Sequence, residues 1–184
     1  MRVTNRRKPK LSNPFYHSRR LARVVALIAL FSLEFSEAKL NEAKEALSDA
    51  LTGSDRDING PLYDILEEDD AISREGESYP VDMNLASSLL FGVLELKPEI
   101  DGVLTSFAVD WSLARIGRLE KSILRIAVYE LLRREDIPPA VTLDEAVELA
   151  KAFCTREAAV FINGILGNIH NHLQELKKLP VEDA

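Results

Sequence analysis

The stretch 116-IGRLEKSILRIAVYELLRR-134 decides the fold. Arg118, Ser122, Arg125, Tyr129 and Arg133 recur at helical spacing, and Leu124, Ala127 and Leu131 form an apolar stripe on another face. Repeats of three and four residues mark an amphipathic helix, because a strand would alternate at every second residue. Pro138 and Pro139 forbid its continuation: proline lacks a backbone donor and restricts the residue before it.

The same period recurs on both sides. Thr142 followed by Glu145 has the form of a capping box and predicts a helix over 143–154. Thr155 can cap a last helix whose stripe is Ala158, Ile162, Ile165, Ile169, Leu173 and Leu176. Asn163 and Gly164 lie inside that stripe, and Gly164 reads as a point of close helix packing. Upstream, residues 18–36 form a helix through Leu21, Val24, Val25, Ile28, Phe31 and Phe35, with Ala22, Ala26 and Ala29 between them. It is apolar nearly all round, which buries it centrally or docks it on a partner. Further helices are expected over 39–51, over 81–96 through Leu85, Leu89 and Val93, and over 98–109, where Pro98 suits a first helical position. Residues 53–80, with the acidic run Glu67–Asp70, read as an exposed loop. No strand pattern or internal repeat is present, so the fold class is all-α, about seven helices with short connections. Ile123, Ile126, Val147 and Ile162 are expected between helices.

A chain of 184 residues, 46% hydrophobic and 29% charged, suits one globular domain. Its organisation reads as a basic arm (1–17), a helical domain (18–178) and a short tail (179–184). The single Cys154 excludes an intrachain disulfide and a multi-cysteine zinc site, and reads as a small core residue. Basic residues before the apolar run 24–33 imitate a secretory signal. The run is far too short to span a bilayer, Glu34 interrupts the join, and the cluster shares one helical pattern with the run. The expectation is a cytoplasmic protein with no membrane partner.

The formal net charge of −7 hides a dipole. Residues 1–33 carry eight Lys or Arg and no acid, whereas residues 34–82 carry 15 acids against four bases. Local patches, not the total, decide which polyanion can approach. Catalytic groups do not converge. His170 and His172 are two apart and face different sides of a helix, and no phosphate-cradling glycine loop, nucleophile elbow or HExxH motif occurs. No enzyme activity, metal or cofactor is expected.

Arg19, Arg20 and Arg23 form one patch within about one helical turn. At a helix N-terminus the macrodipole disfavours each exposed cation by ~0.3–1 kcal/mol, so local stability alone would place acids there. Phosphate contact is one reason for such a cluster. Arginines that snorkel to solvent, or pair with acids from residues 34–82, are the other.

Several segments carry a family likeness. They are 19-RRLAR-23, then Ala26 and 29-ALF-31; 123-ILRIAVYEL-131 with 137-IP-138; 144-DEAVELAK-151; and 161-FINGIL-166. In order and spacing they resemble the NusB family from about residue 18 to 170. The resemblance implies two small helical bundles packed along one another. It also implies binding of boxA-type RNA during ribosomal RNA synthesis, together with the ribosomal protein NusE, in an antitermination complex on RNA polymerase. By the same resemblance Arg19, Arg20, Arg23, Glu157 and Phe161 lie at RNA, and Phe31 and Glu120 at NusE. Family members often carry Tyr where Phe31 stands.

Residue chemistry admits these roles beside plainer ones. Glu120 borders the apolar stripe, which suits an interface rim and equally a first-turn acid. Glu157 has the same first-turn reading, and Phe31 and Phe161 also read as core. The rival function is a helical protein–protein adaptor without RNA affinity, in which the acidic segment covers residues 19–23. NusB-like domains also precede ribosomal RNA methyltransferase domains, but no glycine-rich cofactor loop occurs here, so a methyltransferase is not expected.

Overall fold

The computed structural model describes residues 14–33, 81–107 and 114–178. The expected helix over 39–51, the acidic loop over 53–80, Phe35, Val109, most of the basic arm and the tail from 179 lie outside the described residues.

Six helices are present among the described residues, with no strand. They are α1 (Pro14–Leu33), α2 (Met83–Glu95), α3 (Lys97–Phe107), α4 (Arg118–Arg133), α5 (Pro139–Phe153) and α6 (Arg156–Lys178). None of them is long and apolar enough to cross a membrane.

Helix α4 is the hub and packs against each of the other five. Seven consecutive residues, Ser122 to Val128, are buried, so the middle of the helix is enclosed on every side. The middle of the face that reads as polar is therefore withdrawn from solvent, and only its ends, Arg118 and Arg133, are exposed. Arg125 lies inside and donates two hydrogen bonds to Asp101 of α3, at 2.8 and 2.9 Å. Tyr129 packs on α2 over Gly92, where an added Cβ would run into its ring. Glu130 is buried too, where Arg23 of α1 and Thr142 of α5 donate to its carboxylate. Along this helix, polarity follows the pairing of neighbours rather than exposure to water.

Helix α1 is apolar nearly all round and packs on α2 and α4. Leu21, Val24, Leu27 and Leu30 face inward, while Val25, Ile28 and Phe31 are half-buried. The inward stripe is thus rotated by about one position from the expected one. Asp82 starts α2: its side chain accepts from the Leu85 amide at 2.9 Å, filling one of the unsatisfied donors of the first turn. Thr155 caps α6 as expected, accepting from the Ala158 amide at 3.2 Å.

Two expectations are corrected. Helix α5 begins at Pro139, not after Thr142, with Pro138 at the cap position and no side-chain cap. Proline's fixed φ and missing donor suit the first helical position, so the helix starts about one turn earlier. Thr142 and Glu145 consequently lie inside it, both buried. Gly164 is exposed, and a Cβ there would meet nothing within 4 Å; the close approach is made at Gly92. In the core, Ile123, Ile126 and Ile162 are buried, while Val147 is only half-buried.

Candidate functional site

The three arginines of α1 do share one patch, and each meets an acid. Arg19 Nη2 donates to Asp136 Oδ2 at 2.8 Å. Arg20 reaches Glu145 with Nε at 3.1 Å and Nη2 at 2.9 Å. Arg23 reaches Glu130 with Nε at 2.8 Å and Nη2 at 3.2 Å. Among the described residues these acids come from α4, from the turn after it and from α5; acids of residues 34–80 lie outside the described residues. Bidentate arginine–carboxylate pairs fix both position and orientation. Here they fasten the start of α1 to both α4 and α5.

Depth separates the three. Arg23 is 3% exposed. Glu130 also accepts from the Thr142 hydroxyl at 2.7 Å, and Arg23 Nη1 lies 4.0 Å from Glu145. A buried charge demands such partners, because an uncompensated one would be very costly to desolvate. Arg23 is thus placed as an internal tie. The side chains of Arg19 and Arg20 keep 20% and 19% exposure, so their edges reach the surface. Asp136 sits outermost. It also takes Arg134 Nε at 2.7 Å and Nη2 at 3.0 Å. Chiefly through the Arg134 bond, and with help from Arg19, its carboxyl is held well below the usual carboxylate range.

The ion pairs also fix direction. From Arg19 to Arg23 the partner moves from Asp136 back to Glu130, so α1 and α4 run antiparallel. At 1.5 Å per residue, Phe31 lies about 12 Å beyond Arg23, and Glu120 about 15 Å beyond Glu130, in the same direction. The two residues assigned to a protein partner therefore lie toward the ends of α1 and α4 that point away from Arg19. Glu120 stands in the first turn of α4, and Phe31 is half-buried.

Cys154 marks the same end on α5. Its thiol is half-buried and pushed up to about 11, first by burial and then by the negative charge of Glu120. This places it near Glu120 and leaves it protonated at neutral pH. Helix α6 starts two residues later. Glu157 is exposed in its first turn, and Phe161, one turn on, is half-buried against the core. The five residues assigned to RNA are thus divided. Arg19 and Arg20 lie at one end, Arg23 lies beneath them, and Glu157 and Phe161 lie beyond the far end of α5. Glu145 and Cys154 are separated by about 13 Å along that helix. Asp136, Arg134, Glu130 and Glu145 are the members of the arginine site that sequence reasoning missed. Among the described residues no group of three His, Cys, Asp or Glu side chains could hold a metal ion.

Known proteins match this chain over most of its length. Residues 20–171 match the NusB family. The transcription antitermination protein NusB of Bacillus pumilus is 36% identical over 157 residues, covering 85% of this chain and 98% of the relative. That of Geobacter sulfurreducens is 38% identical over 159 residues, covering 86% and 97%. Among solved structures, T. maritima NusB superposes with a TM-score of 0.57 at 30% identity, over 86% of this chain and 96% of that one. A structure of the antitermination factors NusB and NusE with double-stranded RNA gives a TM-score of 0.61 at 22% identity, over 84% and 97%, a likeness of fold. With the family match and these relatives spanning most of its length, the chain belongs to the NusB family of transcription antitermination proteins.

Proposed function

We propose that this protein is a non-enzymatic, cytoplasmic RNA-binding antitermination factor that binds boxA-type RNA together with NusE during ribosomal RNA synthesis, within an antitermination complex on RNA polymerase. Family membership and the likeness to a NusB that is bound to NusE and RNA support the reading. The observation that carries it is the layered arginine patch: Arg19 and Arg20 reach the surface on a helix end that Arg23 ties down from inside.

Arg19 and Arg20 supply phosphate contacts, and Arg23 holds the helix that presents them. A single strand then follows α5 toward Glu157 and Phe161. There a half-buried ring offers a stacking face, and an exposed carboxylate can accept from a base amino group. Phe31 and Glu120, at that same end, receive NusE. RNA and protein partner thus meet where α5 hands over to α6, and the basic patch anchors the strand at the opposite end.

One observation favours the adaptor reading. Each arginine of the patch already has an internal anion, which lowers the net attraction for phosphate. A salt-dependent titration with boxA-type and scrambled RNA, with and without NusE, separates the two. The RNA-binding reading expects boxA binding that NusE tightens, with the salt slope falling by about 0.7 for each of Arg19→Ala and Arg20→Ala on a single strand. Binding of NusE with no salt-dependent RNA affinity in either case would establish the adaptor.

A further inference from the structure

At the outer edge of the patch two arginines from distant parts of the chain converge on one carboxylate. Arg19 and Arg134 approach Asp136 together, with three nitrogen–oxygen distances between 2.7 and 3.0 Å. Both guanidiniums are mostly covered, with 20% side-chain exposure, whereas the Asp136 carboxylate is 52% exposed. The anion lies on top and the cations lie beneath. Arg134 is also aimed from behind, because its Nη1 donates to the Ser88 hydroxyl of α2 at 3.0 Å. The Tyr129 hydroxyl lies 3.5 Å from that same oxygen.

Arginine forks donate to carboxylate and phosphate oxygens with the same geometry. One fork, from Arg134, and one further guanidinium nitrogen, from Arg19, already converge on two oxygens, which is an anion site in its bound form. The half-exposed Asp136 carboxylate is open to solvent from above, so an external anion can reach the site and exchange with it. We propose that Arg19 and Arg134 form a phosphodiester clamp, and that Asp136 is a built-in competitor which an incoming RNA phosphate displaces. The inference rests on the RNA-binding reading and adds to it a second arginine, Arg134, and an internal anion that sets the strength of binding. Because its two arginine partners keep Asp136 ionised well below neutral pH, the competition operates throughout the working range. A free phosphate would have to outcompete a tethered carboxylate. A polyanion held at neighbouring contacts does so more readily, so the device favours strands over loose anions.

The test is a titration of full-length wild type, Asp136→Asn, Arg134→Ala, the double variant and Glu135→Gln with a single-stranded boxA-type RNA over a range of salt. Circular dichroism checks each fold, and Arg134→Lys replaces the alanine variant if that one is unfolded. Asp136→Asn is expected to tighten binding about three- to tenfold. Glu135→Gln makes the same charge change one residue away and is expected to give a much smaller gain. Arg134→Ala is expected to weaken binding several-fold, to lower the salt slope by about 0.7, and to abolish the gain from Asp136→Asn in the double variant. If wild type binds and Arg20→Ala weakens it, while Asp136→Asn and Arg134→Ala bind as wild type, the clamp is wrong and the RNA reading stands. Equal gains at Asp136 and Glu135 also overturn the clamp. If no variant binds RNA, Asp136→Asn included, both readings fall.

Discussion

Arg23 and Glu130 meet inside the protein across 107 residues of sequence, and their two hydrogen bonds close the angle between α1 and α4. Thr142 completes the cluster from α5, so three helices are tied at one buried point. Removing one partner strands the other charge out of water. Arg23→Ala or Glu130→Ala should each cost about 3–5 kcal/mol, the range for breaking a buried pair. Replacing both by apolar residues, Arg23→Met with Glu130→Leu, should cost well under the sum of the two single changes. Urea unfolding of the three variants checks this. Additive losses would mean that the pair is not coupled.

The glycines of α2 and α3 should respond oppositely to alanine. At Gly92 a methyl group would occupy space held by the Tyr129 ring. The ring must leave the α2–α4 contact, and overpacking of this kind costs about 1–3 kcal/mol. At Gly102, on the exposed side of α3, a methyl group meets nothing within 4 Å. There the helix propensity of alanine should add about 0.5–1 kcal/mol of stability. Thermal melts of Gly92→Ala and Gly102→Ala should shift in opposite directions.

The Cys154 thiol, pushed up to about 11, carries little thiolate at pH 8. Its alkylation by iodoacetamide in the folded protein should be slow beside that of a free thiol, and should accelerate as the pH rises toward 11. Burial contributes most of the shift and Glu120 a smaller part. Glu120→Gln should therefore speed alkylation modestly at fixed pH, because removing a negative charge favours the thiolate. Rates unchanged by the substitution would separate Glu120 from Cys154.

Helical period made most of the architecture readable, since the apolar repeats of α2, α4 and α6 survive any rotation of a few degrees. It could not show that the middle of α4 is enclosed on all sides. Arg125 and Glu130 look solvated in sequence, and they are buried only because Asp101, Arg23 and Thr142 arrive from other helices. The Thr142–Glu145 spacing matches a capping box, yet both side chains serve the buried arginine cluster, because Pro139 had already started the helix. Arg19, Arg20 and Arg23 were legible as a patch. Their division into two surface residues and one internal tie was not, because it depends on partners more than 100 residues away. The far-end grouping of Phe31 and Glu120 likewise required the antiparallel register of α1 and α4.

We propose that RNA anchors at the Arg19–Arg20 end and that NusE docks at the Phe31–Glu120 end. Glu120→Lys tests it in one titration series with NusE alone, RNA alone and both together. Reversing a rim charge should weaken NusE binding, because an interface acid normally faces a basic patch. RNA binding to the isolated protein should be unchanged or slightly stronger, since the substitution adds positive charge. RNA affinity with NusE present should fall, because the joint site assembles less often. A variant that binds NusE as wild type does, yet loses RNA in the absence of NusE, would contradict the two-ended arrangement.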